Sequence, residues 1–243
     1  MSVFTIADLH LSTEEATNKS MEVFGHRWQD YTNRIEKNWR RLVTDDDTVI
    51  IPGDISWALS LKESLSDLTF IDSLPGKKIL GKGNHDFWWC TMKKHTEFLK
   101  ANNIESVSFL FNNAFEVENF IIAGSRGWFH DENATGVPDN TDFNKLVNRE
   151  GQRLRLSLNA AMELKKASPD KEIVVFMHFP PVWNDKPSEN IISTLKEFGI
   201  KRVYFGHIHG SYAVPSTFVY EDIKMHLISA DFLEFVPKFI EKD

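Results

Sequence analysis

Five short clusters carry the side chains in this sequence best suited to binding metal ions or moving protons. They are Asp8-Leu9-His10, Gly53-Asp54, Gly83-Asn84-His85-Asp86, His178, and Gly206-His207-Ile208-His209. Carboxylate, imidazole and amide oxygen form a mixed N/O donor set that suits Mn, Fe, Zn or Co. The set lacks the thiolates typical of a structural zinc site. Each cluster alone has an ordinary reading. An aspartate after a strand caps a turn, Gly-Asn-His-Asp makes a polar turn, and His178 before Phe179-Pro180-Pro181 is a hydrogen-bonded core histidine. Gly-His-x-His is more pointed, because residues two apart in extended chain project to the same side. Five of the nine histidines fall in these clusters, which makes a chance gathering hard to sustain.

Short apolar runs precede every cluster. The pattern predicts strands over Val3–Ala7, Thr48–Ile51, Lys78–Leu80, Ser106–Phe111, Ala114–Val117, Phe120–Ala123, Glu172–Met177, Arg202–Phe205, Ala213–Val219 and Met225–Ile228. Helices are expected over Arg27–Val43, Leu61–Ser73, Thr91–Ala101, Phe143–Ala167 and Ser188–Phe198. Alternation of strand and helix in the first half implies βαβ units with right-handed crossovers. The Ser106–Ala123 stretch reads instead as a three-strand meander with turns at Asn112-Asn113 and Glu118-Asn119, so mixed sheets are expected. In open α/β sheets the carboxyl ends of the strands share an edge, and ligands bind in the crevice outside it. Clusters some 200 residues apart can meet there.

In that order, Asp-x-His, Gly-Asp, Gly-Asn-His-Asp, His and Gly-His-x-His resemble the motif set of the calcineurin-like metallophosphoesterases, over Asp8 to His209. The resemblance implies an α/β fold with mixed sheets, a four-layer α/β/β/α sandwich, formed by residues 1–243 as one domain. It implies two metal ions, one held by Asp8, His10, Asp54 and His209, the other by Asp54, Asn84, His178 and His207, with Asp54 bridging. Two cations about 3.5–4 Å apart lower the pKa of a shared water and disperse charge during in-line attack on phosphorus. The implied activity is hydrolysis of a phosphomonoester or phosphodiester. His85, outside the ligand set, is the candidate general acid. Asp86 either orients its imidazole by hydrogen bonding or only caps the following turn.

One branch of that family, the phosphoprotein phosphatases, carries Gly-Asp-x-x-Asp-Arg-Gly at the second motif. Here Gly53-Asp54-Ile55-Ser56-Trp57-Ala58-Leu59 lacks the arginine, which argues against a dedicated protein phosphatase. Arg126, after a predicted strand, either grips a substrate phosphate or is an ordinary loop arginine. Phe87-Trp88-Trp89 walls the leaving group or, as such aromatics more often do, fills core. The basic positions Lys145, Arg149, Arg153 and Arg155 make a solvated helix face or line the site's mouth. The stretch from Gly124 to Asp142 resists assignment, and loops of that length are usually functional or mobile.

Composition limits the partners. A net charge of −7 gives no general attraction to nucleic acid or anionic membrane, so a small phosphorylated substrate is expected. A nuclease would need a basic groove that the sequence does not show. A non-catalytic scaffold of the same fold would be expected to have lost ligands, and none is missing. With one cysteine, Cys90, no intramolecular disulfide can form, and the thiol reads as a small buried hydrophobe. The N-terminus reads as a first strand, not a signal peptide, and no apolar run is long enough to span a membrane. A cytoplasmic protein is expected, with its oligomeric state left open.

Overall fold

The computed structural model describes residues 1–13, 19–130, 132, 137, 139 and 142–242. Its strands are β1 (Val3–Thr5), β2 (Thr48–Pro52), β3 (Lys77–Gly81), β4 (Val107–Phe109), β5 (Phe115–Val117), β6 (Phe120–Ser125) and β7 (Glu172–Met177). They continue with β8 (Val182–Trp183), β9 (Lys186–Pro187), β10 (Arg202–Phe205), β11 (Thr217–Tyr220), β12 (Ile223–Leu227) and β13 (Lys238–Phe239). The helices are α1 (Tyr31–Leu42), α2 (Leu65–Ser73), α3 (Met92–Ala101), α4 (Phe143–Ala167) and α5 (Glu189–Glu197).

The fold is mixed α/β with two mixed sheets, as expected. One has the order β13-β1-β2-β3-β4 and is parallel apart from β13. The other has the order β11-β12-β10-β7-β6-β5, with parallel central strands and antiparallel edges at β11 and β5. A separate hairpin joins β8 and β9.

Period-two alternation explains the near-continuous apolar runs, since strands buried on both faces need apolar residues at every position. In β2, Val49 and Ile51 join the core formed with α1–α3, while Ile50 joins the core between the sheets. In β7, Val174 and Phe176 face that same middle core, while Ile173, Val175 and Met177 join a third core with α4 and α5. Helix α1 contributes Tyr31, Ile35 and Trp39, one turn apart, to the first of these cores. The apolar clusters thus follow the helix, sheet, sheet, helix order that a layered sandwich requires.

The meander expected over Ser106–Ala123 is not formed. Strand β4 pairs in parallel with β3 in the first sheet, whereas β5 and β6 form a hairpin in the second. Asn112 takes a left-handed conformation with φ 60°, and the Asn113 side chain accepts from Phe111 N at 2.7 Å and donates to Phe109 O at 3.1 Å. That side-chain-closed turn carries the chain from one sheet to the other instead of folding it back. Only the turn at Glu118-Asn119 is a hairpin. The strand expected over Ala213–Val219 starts later, at Thr217. No described helix is long and apolar enough to cross a membrane.

Candidate metal centre

The expected clusters follow β1, β2, β3, β7 and β10, and the two sheets bring those strand ends to one crevice. Asp8 and Asp54 are fully buried. Asp54 Oδ2 lies 3.6 Å from His10 Nε2 and 3.5 Å from His178 Nε2, so one oxygen faces both halves of the site. On one side His10 Nε2 and His209 Nε2 are 3.1 Å apart, and His209 Nε2 is 3.8 Å from Asp8 Oδ1. On the other, Asn84 Oδ1 lies 2.7 Å from His178 Nε2 and 3.0 Å from His207 Nδ1. Donor atoms bound tetrahedrally at about 2.0–2.2 Å from one ion stand roughly 3–3.5 Å apart. The observed spacings, from 2.7 to 3.8 Å, bracket that separation. All seven residues expected as ligands are gathered here, with Asp54 at the junction.

The backbone is shaped to this end. Asp8, His10, Asp54 and His207 all have positive φ, between 46° and 69°. Asp and His tolerate that region better than most residues, yet it carries strain that the surroundings must hold. Tyr31, in the first turn of α1, donates its hydroxyl to His10 O at 2.8 Å and pins that loop. The glycines in the motifs make room for neighbouring ligands. A Cβ at Gly83 would sit 2.0 Å from Asp54 Oδ1, and one at Gly206 would sit 2.4 Å from Asp8 Oδ2.

The site's own charges are in conflict. Burial lifts Asp8 to about 6, with nearby His209 opposing. Burial, then the charges of Asp86 and Asp8, push Asp54 well above the usual carboxylate range. Burial and then neighbouring imidazoles hold His10 and His178 well below 6.5, and take His207 down to about 3. Neutral imidazole is the metal-binding form, and carboxylates crowded without a cation are what a cation relieves. Buried Nδ1 atoms of His10 and His178 also lack hydrogen-bond partners among the described residues. The donor set fits a bound metal ion.

Asp231, which the motifs do not include, belongs to the same centre. Its Oδ1 lies 2.8 Å from His209 Nδ1, and its Oδ2 accepts from Gly210 N and the Tyr212 hydroxyl. Burial alone would lower His209, but the Asp231 hydrogen bond and the charges of Asp8 and Asp231 prevail and raise it. With Nδ1–H given to Asp231, Nε2 is left to point its lone pair inwards, a carboxylate–histidine arrangement typical of metal ligands. The one signal in the sequence was an aspartate three residues after the predicted strand Met225–Ile228.

His85 stands at the mouth, not in the ligand set. Its imidazole packs on Trp57 at 4.5 Å and lies 5.6 Å from the His10 ring. Burial, then the charges of His209 and Lys19, lower it to about 4. Asp86 does not orient it. Both Asp86 oxygens are taken by backbone N–H groups of Gly83, Asp54, Ile55 and Ser56 and by the Trp88 indole. The turn after β3 aims Asp86 into the protein, where it ties that turn to the loop after β2. Trp88 and Trp89 join the core beside β2 and β3, while Phe87 is exposed next to His85.

Arg126, read from the sequence as either a phosphate grip or an ordinary loop arginine, has an internal partner. It pairs with Glu150 at 3.2 Å and stacks on Trp128 at 4.5 Å, with its side chain only 11% exposed. Arg149 and Arg153 share the same Glu150 oxygen, while Arg155 pairs with Glu197, so part of the supposed solvated face of α4 is an ion-pair cluster. Cys90 is half-buried and free, less enclosed than expected. Much of the Gly124–Asp142 stretch falls outside the described residues.

No curated protein matches the chain. Among solved structures, TT1561 of Thermus thermophilus shares the fold with a TM-score of 0.55 at 10% identity, over 98% of this chain and 97% of that one. The protein of unknown function AQ665 from Aquifex aeolicus aligns over 98% and 95% of the two chains at 18% identity, with a TM-score of 0.45. The family model described as calcineurin-like phosphoesterase matches residues 1–211, which covers every ligand-bearing strand end from β1 to β10. By that match the chain belongs to the calcineurin-like phosphoesterase family.

Proposed function

We propose that this chain, acting as one domain, is a metal-dependent phosphoesterase with a dinuclear centre that hydrolyses a phosphomonoester or phosphodiester. One observation carries the reading. Donor atoms from five strand ends converge at ligand-to-ligand spacings around Asp54 Oδ2, and they are buried where their own charges conflict. Asp8, His10, Asp54 and His209 would hold one ion, and Asp54, Asn84, His178 and His207 the other. Bound ions of this kind supply an activated water near neutral pH and neutralise phosphoryl charge.

The chain's own residues supply the rest. His85 borders the crevice beside His10 and would deliver a proton from its imidazole to the leaving-group oxygen. Burial, then the charges of His209 and Lys19, lower its proton affinity, and a phosphoryl anion beside it would raise that affinity again. Trp57 stacks on the His10 ring at 4.9 Å and restricts water on that flank. Asp231 fixes the tautomer of His209.

The test is hydrolysis of p-nitrophenyl phosphate and its bis ester by protein stripped of metal and reloaded with Mn, Fe, Zn or Co. Turnover with at least one metal is expected, and inert protein under every loading would overturn the reading in favour of a scaffold. His85→Asn should leave metal content intact and slow esters with poor leaving groups most. Equal losses for good and poor leaving groups would remove the proton-donor role.

A further inference from the structure

A cavity of about 320 Å³ opens beside His207, walled by Trp128, Phe129, Phe179 and Trp183. From the chemistry of those walls we infer that this cavity binds a planar aromatic group of the substrate, of the size and polarity of a nucleobase. The inference deepens the phosphoesterase reading and rests on it, because it places the organic part of the ester next to the phosphoryl site.

The rings are fixed in advance. Phe179 lies 4.2 Å from the His207 ring and 4.6 Å from Phe129, and Trp128 stands edge-on to Phe129 at 5.4 Å. Val137, Phe143, Leu146 and Val147 support them from behind. The opposite wall comes from the β8–β9 hairpin, whose turn residues Asn184 and Asp185 both have positive φ, 50° and 60°. A two-residue turn of that kind matches the twist of the flanking strands and sets where Trp183 stands at the end of β8. Rigid aromatic faces favour flat ligands, which stack at little entropic cost. The volume falls at the small end of ligand pockets, enough for one compact ring system. Polar groups share the lining: the Asn184 amide, His130 and His207 border the same cavity. A heteroaromatic ring supplies hydrogen-bonding groups for the Asn184 amide that an aliphatic group lacks.

The probes are the non-hydrolysable phosphonate isosteres of adenosine 5′-monophosphate and ribose 5-phosphate, which differ by the base alone, titrated calorimetrically into metal-loaded protein so that no turnover intervenes. Stacking of one base on an aromatic wall is worth about 5- to 150-fold in affinity. The nucleotide isostere should therefore bind at least about fivefold more tightly than the sugar isostere. Trp183→Ala and the bulkier Trp183→Leu, checked by circular dichroism, should both reduce that ratio to near one while leaving binding of the sugar isostere unchanged. Equal binding of the two probes by the unaltered protein, or a ratio preserved in the folded Trp183 variants, would overturn the inference. Because no hydrolysis is measured, failure here is separable from failure of the phosphoesterase reading, which turns on ester cleavage by the reloaded protein.

Discussion

Two buried polar clusters lie near one another at the working edge of the sheets, and they resolve their charge in opposite ways. Around Glu150, three arginines converge on one carboxylate oxygen at 2.7–3.3 Å, and the protein supplies the counter-charge itself. Around Asp54, the groups facing the carboxylates are histidines that burial keeps neutral. The first cluster holds its one carboxylate among three guanidinium groups, with Glu150 Oε2 and Arg126 Nε lacking hydrogen-bond partners among the described residues. The second has Asp8 and Asp54 raised, His10, His178 and His207 lowered, and strained backbone at four of the gathered positions, a conflict that a bound cation would relieve. A buried ion pair is built to stay put, whereas a buried excess of lone pairs is built to receive something.

Substitutions at the two centres should therefore fail differently. Asp54→Asn should abolish both tight binding of the metal pair and ester hydrolysis, because one oxygen serves both halves of the site. Metal analysis alongside an assay checks this, and full activity in the variant would sink the dinuclear account. Glu150→Ala should leave metal binding intact but cost about 3–5 kcal/mol of stability, since Arg126 is left buried and unpaired. Replacing both members, Glu150→Leu with Arg126→Leu, should recover most of that loss in urea denaturation. A double variant no better than the single one would show that the pair contributes more than mutual neutralisation.

Asp231→Asn should have a smaller effect, weakening metal affinity about 10- to 100-fold without removing it, as loss of a carboxylate behind a ligating histidine does. Unchanged affinity would relegate Asp231 to holding Tyr212. His95 offers the mildest contrast, being a buried histidine with no metal-binding company. It accepts from Cys90 N at 3.1 Å, and burial and then Lys82 lower it to about 4 from 6.5. The unfolded chain takes up this proton near pH 6.5 and the folded chain only near pH 4. Its contribution to stability is therefore full above pH 6.5 and is lost as pH falls through that window. His95→Gln, which keeps an acceptor for Cys90, should flatten the acid loss of stability over that range. An unchanged slope would assign it to other groups.

The contrast between the clusters also marks what the sequence could disclose. The metal-facing residues were legible because each must follow a strand directly, where chain order and spatial order coincide. Asp231 has the same placement after β12 but no motif neighbour to draw attention to it. Glu150 was hidden inside a helix whose basic neighbours look solvated until the tertiary fold packs Arg126 against them. Asp86 misled because adjacency to His85 in sequence suggested contact, whereas consecutive residues in a tight turn point different ways. The β8–β9 hairpin, at two residues a strand and bounded by prolines, is set by its turn and its packing, not by any apolar period.

The most direct test of the central claim is a metal titration of the stripped protein with calorimetry and elemental analysis, followed by p-nitrophenyl phosphate hydrolysis at each step. Two ions bound per chain are expected, with hydrolysis absent in the stripped protein and restored only as the second ion binds. Folded protein that takes up no metal, or that hydrolyses the ester equally well when stripped, would contradict it.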